Sequence, residues 1–477
     1  MKRFRIIVLY IIASVLLLSC TSKLIPDKTE DRQVNIFPDY TGVIFPCNIA
    51  PPNFAIEETG DGYMVEIGEV GKDAAIAYES SKPAMYIPQK KWKNLLNEVK
   101  GKNIYFRTYV KTGNRWTQYS DIVNTISPEP IDEYLAYRIF YPGYSVLWGE
   151  MGIYQRNLTS YHEDAILENQ SINNGCANCH SFKHNSPDVM LMHIRGAGGG
   201  TIILKDGKSS KVSLSINDIN SRVAYVSWHP TGKYIAFSIN QIPQFYHLTG
   251  KKPIEVADTK SDLAFYDSDT GEIFTDSKIS GDEFMETFPN WSPDGKTLYF
   301  CRTNPYVEGM FLDSIHYDLY KISFDPITKK IGEPVCIYNA SENKKSVSFP
   351  RISPDGRYMM FTLLDYGNFS IWHPESDLYI LDLKTDEVRC LEEVNSDNVD
   401  SFHNWSSTGQ WFVFSSKRMD GLFARPYIAA FDPATGKPGK AFVMPQKDPY
   451  FYTKFAKTYN VPDFIIEPVK NKRAFLQ

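Results

Sequence analysis

Beyond residue 220 the chain repeats one order of apolar and polar positions. In Val226-Ser227-Trp228-His229-Pro230-Thr231-Gly232-Lys233-Tyr234-Ile235-Ala236-Phe237 a short apolar run leads into a polar turn and then into a second apolar run. The order returns in 289–300, 350–361 and 403–414, with the turn glycines at 232, 295, 356 and 409. Each unit predicts an inward strand, a tight turn in which glycine takes a positive φ, and a buried strand after it. A third strand is predicted at 318–322 and 377–383, followed by a polar turn and a shorter apolar run. Four strands per unit, repeated about an axis, predict a β-propeller. A degenerate unit begins at Asn185-Ser186-Pro187-Asp188, with 200–207 as its hairpin, so five units are recognisable.

Ahead of the repeats the pattern changes. From 36 to 127, short runs such as Tyr63-Met64-Val65-Glu66-Ile67 and Ile104-Tyr105-Phe106 alternate or run apolar between Gly60-Asp61-Gly62 and Thr112-Gly113-Asn114 turns. That pattern predicts a β-sandwich of roughly a hundred residues. Its opening Ala50-Pro51-Pro52, central Trp92 and closing Trp116-Thr117-Gln118-Tyr119-Ser120 resemble the layout of a fibronectin type III module. Residues 128–184 are less regular. Their aromatic run Tyr134, Tyr137, Phe140, Tyr141, Tyr144 and Trp148 reads as a connector packed on both neighbours, with cover for a cofactor as the second reading.

The repeated Trp-Ser-Pro-Asp-Gly-Lys resembles the signature of TolB-like, WD40-like propellers. The resemblance implies an all-β chain, an N-terminal β-sandwich followed by a propeller of six blades. The sixth blade then comes from residues 440–477, from the connector, or from both. The expected organisation is a lipoprotein signal peptide over 1–19, a lipidated tether over 20–35, the sandwich over 36–127, the connector over 128–184 and the propeller over 185–477.

The first residues narrow the setting. Lys2, Arg3 and Arg5 precede an apolar run from Ile6 to Leu18 that is short for a membrane span, and the run ends in Leu17-Leu18-Ser19-Cys20. This resembles the bacterial lipobox, which implies acylation of Cys20 and a chain tethered by lipid in the bacterial envelope, periplasmic or at the outer membrane. A net charge of -5, with 22% charged residues, gives no reason to expect nucleic acid or an anionic surface as partner. Thirty Tyr and twenty-nine Phe suit a chain made mostly of strands.

Export changes how the seven cysteines are read. With Cys20 acylated, Cys47, Cys301, Cys336 and Cys390 stand apart from Cys176 and Cys179. The last three of that set lie in or beside apolar runs and read as buried free thiols. Cys176-Ala177-Asn178-Cys179-His180 has the spacing for one c-type haem: Cys176 and Cys179 as thioether anchors, His180 as proximal iron ligand. Zinc needs a second ligand pair, for which His184 and His193 are irregularly placed, and a thioredoxin-like pair needs a βαβ setting that the flanks do not predict. For the sixth iron position the candidates are Met190, Met192 and His193. A thioether there raises the potential; the alternative for Val189-Met190-Leu191-Met192 is a buried strand.

Three functions follow as expectations. The first is electron transfer between a haem and a redox or envelope protein docked on the propeller. The second is a haem-assisted oxidoreductase with its substrate at the propeller mouth. The third is a scaffold that binds envelope proteins or glycans without redox. His229, His373 and His403 read either as lining the axial mouth or as bonding within the blades. No nucleophile motif, phosphate loop or carboxylate pair stands out.

Overall fold

Six sheets of four or more antiparallel strands share one pattern, in which strand order in space follows strand order in sequence with a single exception. The computed structural model describes residues 24–142, 150–196, 199–214, 222–247, 252 and 254–476. The signal segment and Cys20 lie outside the described residues, as do Tyr144 and Trp148. The exception is the first sheet. Its inner strand is the C-terminal Thr458–Ile465, and its outer three are Tyr134–Phe140, Gly152–Asn157 and Glu163–Glu168.

We number the sheets as blades I to VI. Their inner strands are Thr458–Ile465, Cys176–Lys183, Arg222–Trp228, Met285–Trp291, Ser346–Ile352 and Asp400–Trp405. Each inner strand touches the next, and that of blade VI touches that of blade I, so the ring closes. The fold is a six-bladed β-propeller, clasped by pairing the C-terminal strand with Tyr134–Phe140.

The domain map is corrected accordingly. Residues 134–168 are three strands of blade I rather than a connector, because Tyr134 to Phe140 pair along their length with Ile465 to Thr458. The sixth blade is built from both predicted sources, and the haem motif is the start of blade II.

The repeat explains the turns. In Ser292-Pro293-Asp294-Gly295, Ser292 Oγ accepts from Thr297 N at 3.0 Å and Asp294 Oδ1 accepts from Lys296 N at 3.0 Å. Gly295 has φ 70°, and a Cβ there would lie 2.3 Å from His229 Nε2 of blade III. The blades also staple one another. Trp228 Nε1 donates to Ser181 O at 3.3 Å, Trp405 Nε1 to Arg351 O at 3.0 Å, and His403 Nε2 to Met360 O at 2.9 Å.

The N-terminal unit has a seven-stranded sheet, a three-stranded sheet and the helix Gln89–Glu98. Two of its strand pairs are parallel, Lys28–Glu30 with Arg115–Tyr119 and Ile44–Phe45 with Ile122–Ile126. The helix and the parallel pairs depart from a fibronectin type III layout, and Lys28–Glu30 shows that the expected tether already belongs to the sheet. Trp92, Leu95 and Leu96 turn one helix face into the core, where Trp92 Nε1 donates to Ile49 O at 3.0 Å. That core runs on into the propeller through Phe45 and Phe442, whose rings lie 5.1 Å apart.

Of the three cysteines expected to be buried, Cys301 is buried, Cys390 is half-buried and Cys336 is exposed on an outer strand. An outermost strand has one face on its own sheet and little above it, so an apolar run there does not guarantee burial.

Candidate functional site

All six inner strands are irregular at one level. The pairing skips between Ala177 and Cys179, Ala224 and Val226, Thr287 and Asn290, Ser348 and Arg351, Ser401 and Asn404, and again on Thr458–Ile465 opposite Ala136 and Arg138. At four of these bulges a residue other than glycine takes positive φ: Phe288 at 54°, Phe349 at 57°, Phe402 at 50° and Val461 at 45°. Such backbone costs of order 1–3 kcal/mol per residue and re-aims the side chain. Rings thereby cross the axis in sequence, with centroid separations of 3.8 Å for Tyr225–Phe288, 5.4 Å for Phe288–Phe349 and 5.0 Å for Phe349–Phe402. This layer separates two mouths.

Two residues beyond each bulge stands a polar side chain: His180, Ser227, Asn290, Arg351, Asn404 and Asp463. All six line one cavity of about 510 Å³ at the mouth ringed by the Pro-Asp-Gly turns. His180 Nε2 lies 3.4 Å from Asp463 Oδ2, and Asn404 Nδ2 donates to Asp463 Oδ1. Burial raises the Asp463 carboxyl above its ordinary range, with His180 and Asn404 working against the rise. Burial lowers the His180 imidazole, opposed by Asp463. Arg351 stacks 4.0 Å over the Phe349 ring and gives one N–H to Pro350 O at 3.1 Å; burial pushes its guanidinium down to about 10. Among the described residues neither ring nitrogen of His180 makes a well-formed hydrogen bond, although the residue is 4% exposed.

Of the haem residues, Cys176 and His180 are not brought together. Cys176 packs with Phe140 and Met151, its sulfur accepts from Arg138 Nη2 at 3.3 Å, and it does not line the axial cavity that His180 enters. Backbone pairing sets Cys176 opposite Arg195, Cys179 opposite His193 and His180 opposite Met192. In this arrangement the Cys176 thiol and the His180 imidazole open on different surroundings. Met190 and Met192 are sealed between blades I and II with Ile153 and Ile194, as a buried strand requires. His193 Nδ1 bonds Thr201 Oγ1 at 3.0 Å, and burial first, then Arg195, lower it to about 4. Among the described residues no cluster of three or more His, Cys, Asp or Glu is placed to hold a metal ion.

Of the other histidines, His184 also lines the axial cavity, whereas His229, His373 and His403 do not. His229 Nε2 meets Gly295 O at 3.0 Å, His403 meets Met360 O, and His373 Nδ1 lies 3.0 Å from Glu375 Oε1. The functional position that sequence reading missed is the residue immediately before the repeat's Trp or Ile: Ser227, Asn290, Arg351 and Asn404 all occupy it.

No family model matches the chain, and no curated protein does. Solved structures similar to it include an oligogalacturonate lyase from Vibrio parahaemolyticus, 12% identical, covering 60% of this chain and 84% of that one, TM-score 0.32. An auxiliary nutrient binding protein from Bacteroides thetaiotaomicron is 10% identical over 80% of this chain and 96% of that one, TM-score 0.32. A puromycin-hydrolyzing peptidase from Mycobacterium tuberculosis is 11% identical over 73% of this chain and 52% of that one, TM-score 0.36. Likeness at this level carries no argument about function. The fold rests on the strand pairing itself.

Proposed function

We propose that this chain is a lipid-anchored protein of the bacterial envelope, held through Cys20, whose propeller takes a small polar molecule into its axial cavity. The observation that carries the reading is the ring of six polar side chains, one from each blade, around a single cavity. Blades III, IV and V supply Ser227, Asn290 and Arg351, rich in donors. Blades VI, I and II supply the Asn404–Asp463–His180 chain, centred on a carboxylate. A ligand with an acidic end toward Arg351 and hydroxyl or amino donors toward Asp463 complements both halves.

Calorimetric titration with a panel of hydroxy acids, sugar acids and amino acids tests it, on wild type and Arg351→Met. At least one compound should bind and weaken about tenfold or more in the variant, the loss expected for one charge-assisted contact. Silence across the panel, or equal affinity in both proteins, overturns it.

The motif Cys176-Ala177-Asn178-Cys179-His180 favours a second reading: haem c on Cys176 and Cys179 with His180 as ligand, and electron transfer to an envelope partner. When bound, haem supplies one-electron chemistry. This reading requires the start of the strand Cys176–Lys183 to leave its pairing with Ser186–Arg195, since Cys176 and His180 are now apart. Haem staining after denaturation of protein made with the attachment machinery decides it: retained haem supports the second reading, and its absence removes it.

A further inference from the structure

Where blades III, IV and V meet, at the end of the blades away from the Pro-Asp-Gly turns, five polar side chains share one buried neighbourhood. Asp258 stands just before the third strand of blade III, Lys260–Asp267, in which Ser261 lies, and Asn240 is near the end of the second, Tyr234–Gln241. Tyr317 directly precedes Asp318–Ser323 of blade IV, and Asn368 follows Tyr358–Leu364 of blade V. Asn240 Nδ2 donates to Asp258 Oδ2 at 2.9 Å, and Asn368 Nδ2 donates to the same oxygen at 2.5 Å. Burial raises the Tyr317 hydroxyl well above its ordinary range; Asp258 adds to the rise and Ser261 opposes it, so these groups are neighbours too. Each of the five residues is at most 1% exposed.

Among the described residues, Asp258 Oδ1, Asn240 Oδ1, Asn368 Oδ1, Ser261 Oγ and the Tyr317 hydroxyl oxygen have no hydrogen-bond partner. The carboxylate and amide oxygens of this set can only accept. Burial raises the Asp258 carboxyl to about 7; the Asn368 and Asn240 amides oppose the rise, and no cationic side chain does. A carboxylate sealed in this way calls for a positive charge. Water would bring two donors and no charge. A hard cation answers both needs, because it takes carboxylate, amide and hydroxyl oxygens together. A cavity of about 10 Å³ lies against Asp258, Tyr317 and Asn368, room for one guest the size of a water molecule. Of the other acid and base on its wall, Glu255 meets Tyr366 and His247, and His373 lies against Glu375.

We propose that this set of oxygens holds one monovalent metal cation of the sodium class, bound through Asp258 and joining blades III, IV and V. One negative charge is matched by one positive charge; a divalent ion would leave a net charge buried. The site shares no lining residue with the axial cavity and stands or falls independently of it.

Thermal unfolding of the full chain in sodium chloride and in choline chloride, at equal ionic strength and above pH 8, tests it. A cation that binds only the folded state stabilises it by mass action, so wild type should melt at least about 2 °C higher in sodium. Asp258→Asn should lose this difference. Asp282→Asn, at an exposed acid, should keep it. Asp258→Asn removes a buried charge and keeps one oxygen for the two amides, so a melting temperature in choline at or above that of wild type certifies its fold. No difference between the salts in wild type, a difference that persists in Asp258→Asn, one that is lost in Asp282→Asn, or a rise with calcium chloride alone overturns the proposal.

Discussion

The two mouths of the propeller are opposite ends of the same six strands, yet they solve the problem of buried charge in different ways. At the turn-ringed mouth the charges are balanced within the protein: Asp463 sits beside His180, accepts from Asn404, and shares its ring with Arg351. At the other mouth Lys417 is buried against the Trp372 ring, and no carboxylate among the described residues pairs with it. The first ring holds itself together whether or not a ligand is present. At the second, the buried Lys417 ammonium is left to a ring contact. Charge balance thus differs between the two ends of one set of strands.

The contrast is sharpest when one charge is removed from each mouth. Asp463→Leu leaves Arg351 and His180 without their carboxylate and Asn404 Nδ2 without its acceptor. Breaking such a set from one side is expected to destabilise the protein by about 3 kcal/mol, read by urea unfolding. A loss below about 1 kcal/mol would mean that the ring is solvated and not balanced by Asp463.

Lys417→Met should act in the opposite direction, raising stability at pH 7 by about 2 kcal/mol. The pH dependence identifies the cause. Folding lowers the amine from an ordinary value of about 10.4 to about 7. Between those values the unfolded chain binds more protons, so wild-type stability rises with pH across this window. Below pH 7 both states hold the proton and the penalty is fully present. The variant lacks this rise. Parallel stability curves for the two proteins from pH 7 to pH 10 would show that Lys417 is not desolvated.

How much of this contrast was legible in the sequence depends on the element. The repeats announced blades III to VI because the polar positions and the glycine of each turn serve a fixed bond or backbone angle, as in Ser292, Asp294 and Gly295. Blade I was hidden because its inner strand, with Val461-Pro462-Asp463, is not followed by such a turn, and the strand it pairs with lies more than three hundred residues earlier. The helix Gln89–Glu98 carried its signal in Trp92, Leu95 and Leu96, spaced to share one face, but the run is short and sits among strand-like neighbours. Four of the six positions of the polar ring, Ser227, Asn290, Arg351 and Asn404, were recoverable by reading down one column of the aligned repeats. The aromatic mouth was not, because Arg138, Lys417 and Trp372 meet only when the ring of blades closes. Cys176-Ala177-Asn178-Cys179-His180 shows the reverse: its chemistry is plain in the sequence, and its geometry belongs to the fold.

The finest distinction lies within the turn-ringed mouth, between two tryptophans at the same place in the repeat. Trp405 Nε1 donates to Arg351 O at 3.0 Å and ties blade VI to the strand that carries the guanidinium. Trp291 is equally buried, but its Nε1 has no hydrogen-bond partner among the described residues. Replacing each by phenylalanine removes a similar ring edge and the same N–H. For Trp405 a made hydrogen bond is lost and a buried carbonyl is left short of a donor, about 1 kcal/mol. For Trp291 a buried orphan donor disappears, so the lost packing is offset and the net change is near zero. Thermal unfolding of the two variants should therefore separate them, with Trp405→Phe melting lower than Trp291→Phe. Equal losses would assign both residues to packing alone, and the strand bearing Arg351 would then be held by the sheet and not by its neighbour's indole.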